Sequence, residues 1–199
     1  MEPFKEITAP IVPLPYDNID TDQIIPARYM KSTQKKGLGK YLFYDWRFDA
    51  NGNPKKDFVL NQPDITCKIL VAGDNFGSGS SREHAPWALQ DYGFRVIIAS
   101  SFADIFKHNA LNVGLLPVEV ERDFRDKLLK QYEKNPNSDI HVDLVNQKVE
   151  MVGTGDSTNF EINKYKKKCL LHGIDDIDYL MNLTEEITEF ENKRKKTKT

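Results

Sequence analysis

Apolar residues in the middle of the chain form short runs that alternate with segments of helical periodicity. The strand-length runs, which are rich in β-branched residues, are residues 65–72, 94–99 and 115–120. Helices are predicted over residues 81–90, 102–111 and 121–134. The resulting order, strand–helix–strand–helix–strand, predicts parallel pairing in the centre of a sheet.

The flanking regions follow other patterns. Residues 1–26 are punctuated by prolines, which remove backbone donors and predict extended segments and turns without helix. Residues 141–145 and 148–152 alternate apolar and polar positions, which predicts an antiparallel hairpin, and residues 160–162 are a candidate further strand. Residues 165–171 are predicted to form a helix or turn that a glycine ends. The combination predicts a single compact α/β domain with a mixed sheet.

Two segments of this predicted domain, which spans residues 1–199, have distinct characters. Residues 28–57 are too long for a simple connection, so we expect a substrate or partner loop. We expect that loop to be mobile in the isolated chain, with its apolar groups waiting for a partner's surface; these groups are Leu42, Phe43 and Trp46. Residues 184–199 are predicted as a C-terminal helix that begins at a Thr184 cap and ends in a basic tail.

Composition narrows the function classes. Hydrophobic residues make up 39% of the 199 residues and charged residues 29%, which predicts a folded core. The net charge of −2 lacks the basic footprint of a nucleic-acid-binding protein. The basic run at residues 193–198 is the exception, and a solvated terminus is favoured over a polyanion site. Because no apolar run is long enough for a membrane span or a secretory signal, we expect a cytoplasmic protein.

The two cysteines, Cys67 and Cys169, are predicted to be reduced and buried. An iron–sulfur cluster normally needs three or four thiolates, so this chain cannot hold one alone. No spacing typical of a zinc site is present either.

Residues 73–84 form a glycine-rich turn between a predicted strand and a predicted helix. Glycines allow the backbone to turn tightly and a ligand to approach its amides, and a helix start favours an anion. Ser78, Ser80 and Ser81 add hydroxyl donors, and Arg82 adds a two-pronged cation. The turn therefore predicts a site for a carboxylate or phosphate, and the alternative is that a serine only caps the helix.

Two familiar phosphate motifs fit this turn less well. A P-loop requires Gly-Lys-Ser/Thr, which is absent here. Gly73, Gly77 and Gly79 match the spacing of short-chain dehydrogenases, but no tyrosine has a lysine four residues later. A nicotinamide-dependent oxidoreductase is therefore a weaker alternative, and a non-catalytic anion-binding or assembly module is a third.

Three segments together resemble one known family. Residues 17–26, 73–85 and 102–117 are similar to the three motifs of the swivelling domain in the aconitase superfamily, in the same order, and residues 37–47 and 173–177 agree. A separate chain of this length resembles the small subunits of isopropylmalate dehydratases. The resemblance implies a swivelling β/β/α domain with a mixed sheet, similar to the aconitase C-terminal domain.

The resemblance also implies an activity and its partners. It implies a hydro-lyase, active only with a large subunit, that interconverts 2-isopropylmalate and 3-isopropylmalate through an alkene in leucine biosynthesis. The [4Fe–4S] cluster is expected on the large subunit, and this chain is expected to bind a small dicarboxylate but no metal, nucleic acid or membrane.

Residue roles follow from the same motifs. By match to the family's Ser-Ser-Arg, Ser80 is the expected base, working as an alkoxide, and Gly79, Ser81 and Arg82 are expected to bind a substrate carboxylate. A hydroxyl is a poor base unless neighbouring amides and a guanidinium stabilise its anion.

Substrate choice is expected to lie in the loop that carries Arg28, Tyr29 and Lys31. The resemblance favours isopropylmalate, but the cation of Lys31 could also accept the extra carboxylate of homoaconitate or citrate. The substrate range, including citraconate, therefore stays open at this point.

Other polar residues are expected to have structural roles. Those near the motifs are Glu83, His84, His108 and Asn109, and an acid–base pair of Glu83 with His84 is the alternative for two of them. His141 and His172 show no constellation in the sequence. Asp20 and Asp22 are predicted to cap backbone amides in a turn at the mouth of the site, in preference to binding Mg²⁺.

Overall fold

The structure, a computed structural model, describes residues 1–30, 35–63 and 65–184 together with residues 188, 190 and 194. The strands are β1 (Glu6–Leu14), β2 (Ile69–Ala72), β3 (Val96–Ala99), β4 (Leu116–Glu119), β5 (Asp139–Asp143), β6 (Lys148–Met151) and β7 (Ser157–Asn159). The helices are α1 (Thr21–Ile24), α2 (Tyr44–Arg47), α3 (His84–Tyr92), α4 (Asp104–Val113), α5 (Arg122–Lys134), α6 (Lys164–His172) and α7 (Asp176–Asn182). None of these helices combines the length and apolar character needed to cross a membrane.

The strands form one mixed sheet in the order β4-β3-β2-β1-β5-β6-β7. The first four pair in parallel, as the alternation of strands and helices predicts, and β5, β6 and β7 add antiparallel neighbours. Strand β1 joins the two parts, because residues 6–10 pair with β5 and residues 11–14 pair with β2. The predicted mixed α/β sheet is confirmed.

Two prolines occupy this central strand, where the lack of a backbone donor normally argues against a ladder position. Pro10 pairs with Asp139 of β5, and Pro13 pairs with Val71 of β2. Each proline therefore sits in a half of β1 that has a strand neighbour on one side only. This arrangement explains how a proline-rich segment becomes the centre of the sheet.

Two apolar cores lie on opposite faces of the sheet. Alternate residues of β2 point to opposite faces, so Leu70 and Ala72 join one core while Ile69 and Val71 join the other. Helices α3 and α4 cover the first core, and α5, α6 and the antiparallel strands enclose the second. Because both faces are covered, the inner parallel strands β2 and β3 are buried at every position.

Several predicted boundaries are wrong. Residues 1–26 include α1, a short helix in which Asp20 and Gln23 form a capping box. The predicted strand at residues 160–162 is misplaced, because the last strand, β7, ends at Asn159. Phe160 follows it directly and is buried. Helix α7, capped by Asp175, was not expected. The predicted C-terminal helix and basic tail lie largely outside the described residues.

The long loop packs on its own chain. Leu42 and Phe43 are fully buried in the first core, and the Phe43 amide donates to the Ile24 carbonyl oxygen at 2.8 Å. The amides of Gly37 and Gly39 donate to the Asp91 carboxylate of α3 at 2.9 and 2.7 Å. The expectation that the apolar groups wait for a partner is therefore wrong for Leu42 and Phe43, and partly buried Trp46 packs beside them.

Replacing Phe43 tests whether this loop belongs to the core. Phe43→Ala is expected to lower the free energy of unfolding by about 3–5 kcal/mol, because it leaves a cavity. The matched control is Phe190→Ala, at a residue that is 65% exposed, where the expected change is within about 0.5 kcal/mol. Urea unfolding of the isolated chain, followed by circular dichroism, measures both. Equal midpoints for the two variants would show that the loop adds nothing to the core.

Candidate active site

The segment that carries the three serines, here called the serine turn (residues 73–82), leaves β2 and leads into α3. Helix α3 begins at His84, later than predicted, and its N-cap residue Glu83 makes no side-chain cap hydrogen bond. Gly77 and Gly79 have φ angles of +79° and +91°, which keep the backbone out of helical geometry just before the helix. The alternative that Ser80 or Ser81 caps the helix is therefore wrong.

The segment after β1 holds the serine turn from one side. The Thr21 amide donates to the Ser78 carbonyl oxygen at 2.8 Å, and the Thr21 hydroxyl donates to the Ser80 carbonyl oxygen at 3.0 Å. Thr21 is only 2% exposed. It therefore fixes the backbone on both sides of Gly79, a role that no pattern in the sequence indicated.

Hydrogen bonds also hold the beginning of the turn. The Asp17 carboxylate accepts from the Asp74 amide at 2.7 Å, and the Asn75 side-chain amide donates to Asn18 Oδ1 at 2.9 Å. The Asn75 amide donates to the Ser101 hydroxyl at 2.8 Å, beside the third motif. The Ala103 amide of the third motif donates to the Phe76 carbonyl oxygen at 3.0 Å, so the three segments that carry the family resemblance are in direct contact.

Helix α4 packs against the turn at Gly77. A Cβ atom on Gly77 would lie 2.2 Å from Cγ of Phe106, whose ring is buried at 2% exposure. Close approach, and not only the positive φ angle, therefore requires glycine at this position.

A cavity of about 250 Å³, here called the Ser80 cavity, lies between the serine turn and the start of α4. Its lining residues are Thr21, Gly77, Gly79, Ser80, Ser81, Arg82, Ala103, Asp104, Ile105 and Phe106. Within the ranges that the structure describes, no group accepts a hydrogen bond from the amides of Ser80, Ser81 or Arg82. These donors are therefore available to a guest in the cavity.

Arg82, which lines this cavity, forms an ion pair with Asp22. The hydrogen bond from Arg82 is the main cause that lowers the pKa of the Asp22 carboxyl. A hydrogen bond from the Ala27 amide lowers this pKa further, whereas desolvation by burial raises it. The predicted capping role is confirmed for Asp20, which accepts from the Gln23 amide at 2.7 Å. For Asp22 the main partner is Arg82, which lies 60 residues away in the chain and could not be predicted from a local pattern.

The structure places two further predicted site residues, Arg28 and Tyr29, outside the lining of the Ser80 cavity. Arg28 pairs with Asp45, which raises the pKa of the guanidinium, and lies 4.8 Å from the centre of the Tyr29 ring. The Tyr29 ring stacks on that of Tyr41, with centroids 4.1 Å apart. Neither Arg28 nor Tyr29 lines the cavity, although their turn begins at Ala27, beside Asp22. Lys31 lies outside the described residues.

Comparison of the chain with known proteins identifies the family to which it belongs. The model of the aconitase C-terminal domain matches residues 1–123. The 3-isopropylmalate dehydratase small subunit of Christiangramia forsetii is 54% identical, over 98% of this chain and 95% of that protein. The protein of the same name from Cytophaga hutchinsonii is 51% identical, over 98% and 97%. This chain belongs to the 3-isopropylmalate dehydratase small-subunit family.

The fold agrees with that family. A crystal structure titled 3-isopropylmalate dehydratase, from Methanocaldococcus jannaschii, matches with a TM-score of 0.66 at 26% identity, over 94% of this chain and 99% of that one. The resemblance to the aconitase superfamily and the predicted fold class are therefore confirmed. Membership of this family also decides against the nicotinamide-dependent alternative.

The cysteines of this small-subunit chain cannot hold an iron–sulfur cluster. Both are free; Cys67 packs against the first core before β2, and Cys169 lies buried on α6. Burial raises the pKa of the Cys67 thiol, which opposes thiolate formation. Two thiols on different elements do not meet the three or four ligands that such a cluster needs.

The histidines lie away from the Ser80 cavity. The His84 ring packs 4.9 Å from that of Trp87, and His108 lines a different cavity, of about 650 Å³. Strand pairing, which the sequence alone does not reveal, places His141 beside Glu6 and Asp143. One potential ligand atom from each of these three residues lies within 4.8 Å of the others, at the exposed side of β1 and β5.

Gly77 offers a direct test of the packing at the turn. Gly77→Ala is expected to lower the free energy of unfolding by about 3 kcal/mol or more, since the methyl group meets the Phe106 ring at a positive φ angle. Gly155→Ala is the matched control, because Gly155 has a φ angle of +78° but no atom near its Cβ position. Its expected cost is about 1 kcal/mol. Equal urea midpoints would contradict the close approach.

The ion pair of Asp22 with Arg82 makes a pH-dependent prediction. The Asp22 carboxyl is expected to titrate below its ordinary value of 3.8, and Arg82→Gln is expected to raise that pKa. Because the folded-state pKa is lowered, the stabilising effect of the pair is present above the unfolded pKa and is lost as the pH falls through the folded pKa.

Carbon-detected NMR titration of the aspartate carboxyls measures this shift. Asp49 is the internal control, because hydrogen bonds from Asn53 lower its pKa, and Arg82→Gln should leave it unchanged. An unaltered Asp22 pKa in the variant would rule out Arg82 as its partner.

Proposed function

We propose that this chain is the small subunit of a 3-isopropylmalate dehydratase and that it works with a large subunit in leucine biosynthesis. The enzyme is a hydro-lyase that interconverts 2-isopropylmalate and 3-isopropylmalate by dehydration and rehydration. The observation that carries the proposal is a cavity lined by a serine hydroxyl, an arginine and amides that donate to no described residue, in a chain 54% identical to a small subunit of that name.

A carboxylate of the substrate binds at the serine turn. The amides of Ser80, Ser81 and Arg82 offer hydrogen bonds, and a guanidinium adds a charge-assisted pair. The positive φ angle of Gly79 turns the backbone toward the cavity without a side chain in the way. Asp22 holds the Arg82 side chain in place through one of its donor groups and leaves others for the ligand.

Ser80 acts as the base. The reaction removes a weakly acidic C–H proton next to a carboxylate, and the Ser80 alkoxide oxygen accepts that proton and returns it during rehydration. An alkoxide forms only where donors stabilise its charge, and the neighbouring amides with Arg82 supply such a field. Thr21 fixes the Ser80 carbonyl oxygen, so the hydroxyl is carried on a defined backbone.

The groups that this chain lacks belong to the partner. We place the family's [4Fe–4S] cluster on the large subunit, because two separated cysteines cannot bind it. We also assign substrate choice in part to Arg28 and Tyr29, since the turn that carries them begins beside Asp22, and to Lys31, which follows them in the sequence. The chain works as a single swivelling domain in the cytoplasm and binds neither nucleic acid nor membrane.

Ser80→Ala tests the assignment of the base. In the enzyme reconstituted from both subunits, kcat is expected to fall on the order of 10³-fold with KM little changed, because a lost proton-transfer group acts mainly on the transition state. Ser157→Ala, on the edge strand β7 and away from the cavity, is the control and should retain full activity. A near-normal kcat for Ser80→Ala would eliminate this serine as the base, and lack of isopropylmalate turnover by the wild-type pair would overturn the proposed function.

A further inference from the structure

The Ser80 cavity has two chemically different walls. The serine turn forms a wall of amides, hydroxyls and the Arg82 guanidinium. The first turn of α4 forms the other wall, through Asp104 and Ile105. A guest between them therefore meets hydrogen-bond donors and a cation on one side, and a carboxylate with an aliphatic side chain on the other.

Ile105 is unusual for its helix. It is 54% exposed, whereas the next residue, Phe106, is 2% exposed and fills the core behind the serine turn. The Ile105 side chain consequently offers apolar surface at the cavity. An alkyl group of a ligand can pack against it, and the removal of both apolar surfaces from water favours binding.

Asp104 adds a negative charge at the same wall. Its side chain is exposed, and within the described part of the chain its carboxylate has no ion-pair partner, because nearby Lys107 pairs with Glu119 at 2.8 Å. A ligand carboxylate at this wall would be repelled by the negative charge of Asp104. It would also lose hydrating water where it contacts Ile105, and both effects disfavour its binding.

We propose that Asp104 and Ile105 select the substrate by the group it presents to α4. Ile105 contacts a branched alkyl group, and Asp104 repels a carboxylate in the same position, so the cavity accepts dicarboxylates with an aliphatic branch and rejects tricarboxylates. This inference rests on the proposed function and names its substrate class. Discrimination of this kind uses an attractive and a repulsive element together.

Two ligands isolate the effect of charge. Citrate and 2-isopropylmalate share a hydroxy-dicarboxylate core, and citrate carries a carboxymethyl group in place of the isopropyl group. In the reconstituted enzyme, Asp104→Asn is expected to lower the inhibition constant of citrate about 10-fold, because a nearby like charge is removed, while the KM for 2-isopropylmalate changes little. Asp123→Asn is the matched control, since Asp123 lies in the first turn of α5 and does not line the Ser80 cavity.

A second pair of ligands isolates the apolar contact. Citramalate carries a methyl group where 2-isopropylmalate carries the isopropyl group. Ile105→Ala is expected to lower kcat/KM for 2-isopropylmalate about 10-fold, as for lost apolar groups in other pockets, and to leave kcat/KM for citramalate nearly unchanged. Ile177→Ala, at a residue that is 71% exposed on α7, is the control.

The outcomes separate this inference from the proposed function. If the enzyme is active on isopropylmalate but Asp104→Asn leaves the citrate inhibition constant unchanged, the proposed function stands and the selection by α4 is overturned. The same conclusion follows if Ile105→Ala lowers the activity on 2-isopropylmalate and on citramalate equally. A change in Asp123→Asn as large as that in Asp104→Asn also overturns it. A wild-type pair that does not turn over isopropylmalate overturns the proposed function and this inference with it.

Discussion

Thr21 joins the two segments from which the candidate site is built. Its amide and hydroxyl donate to carbonyl oxygens on either side of Gly79, and its side chain is buried where loss of such bonds leaves polar groups unsatisfied. The serine turn is therefore held open by contacts with another segment and not by helix formation. Because the donors are fixed before a ligand arrives, they need little reorganisation to stabilise a negative charge.

The position of this clamp follows from the parallel part of the sheet. The register pairs Leu14 of β1 with Ala72 of β2, so both strands end at the same edge. The segments that follow β1, β2 and β3 contain the three motifs, and they leave the sheet side by side. Ligands of open α/β sheets bind beyond the carboxyl ends of their strands for the same reason. Motifs that lie far apart in sequence therefore converge through the order of the strands alone.

Sequence periodicity predicted the features that depend on local pattern. Strands β2, β3 and β4 and helices α4 and α5 are long or apolar enough to be recognised, and the glycine spacing marked the turn. Long-range features were beyond the same reasoning. The ion pair of Asp22 with Arg82 joins positions 60 residues apart, and the burial of Phe43 depends on how its loop meets α3. The start of α3 was misplaced because serine favours helix caps, whereas two residues with positive φ delay the helix.

The distribution of charge explains why such a site needs a second chain in the proposed reaction. Arg82 brings one positive charge to the cavity, and Asp22 offsets it while fixing its direction. The amides and the serine hydroxyl can stabilise a negative charge and accept a proton, but the departing hydroxyl requires an acid at the opposite side of the substrate. None of the described residues that line the Ser80 cavity is a histidine or cysteine, and the only carboxyl among them is Asp104. In the proposed reaction, the cavity wall formed by α4 sorts substrates, and we assign the acid to the large subunit.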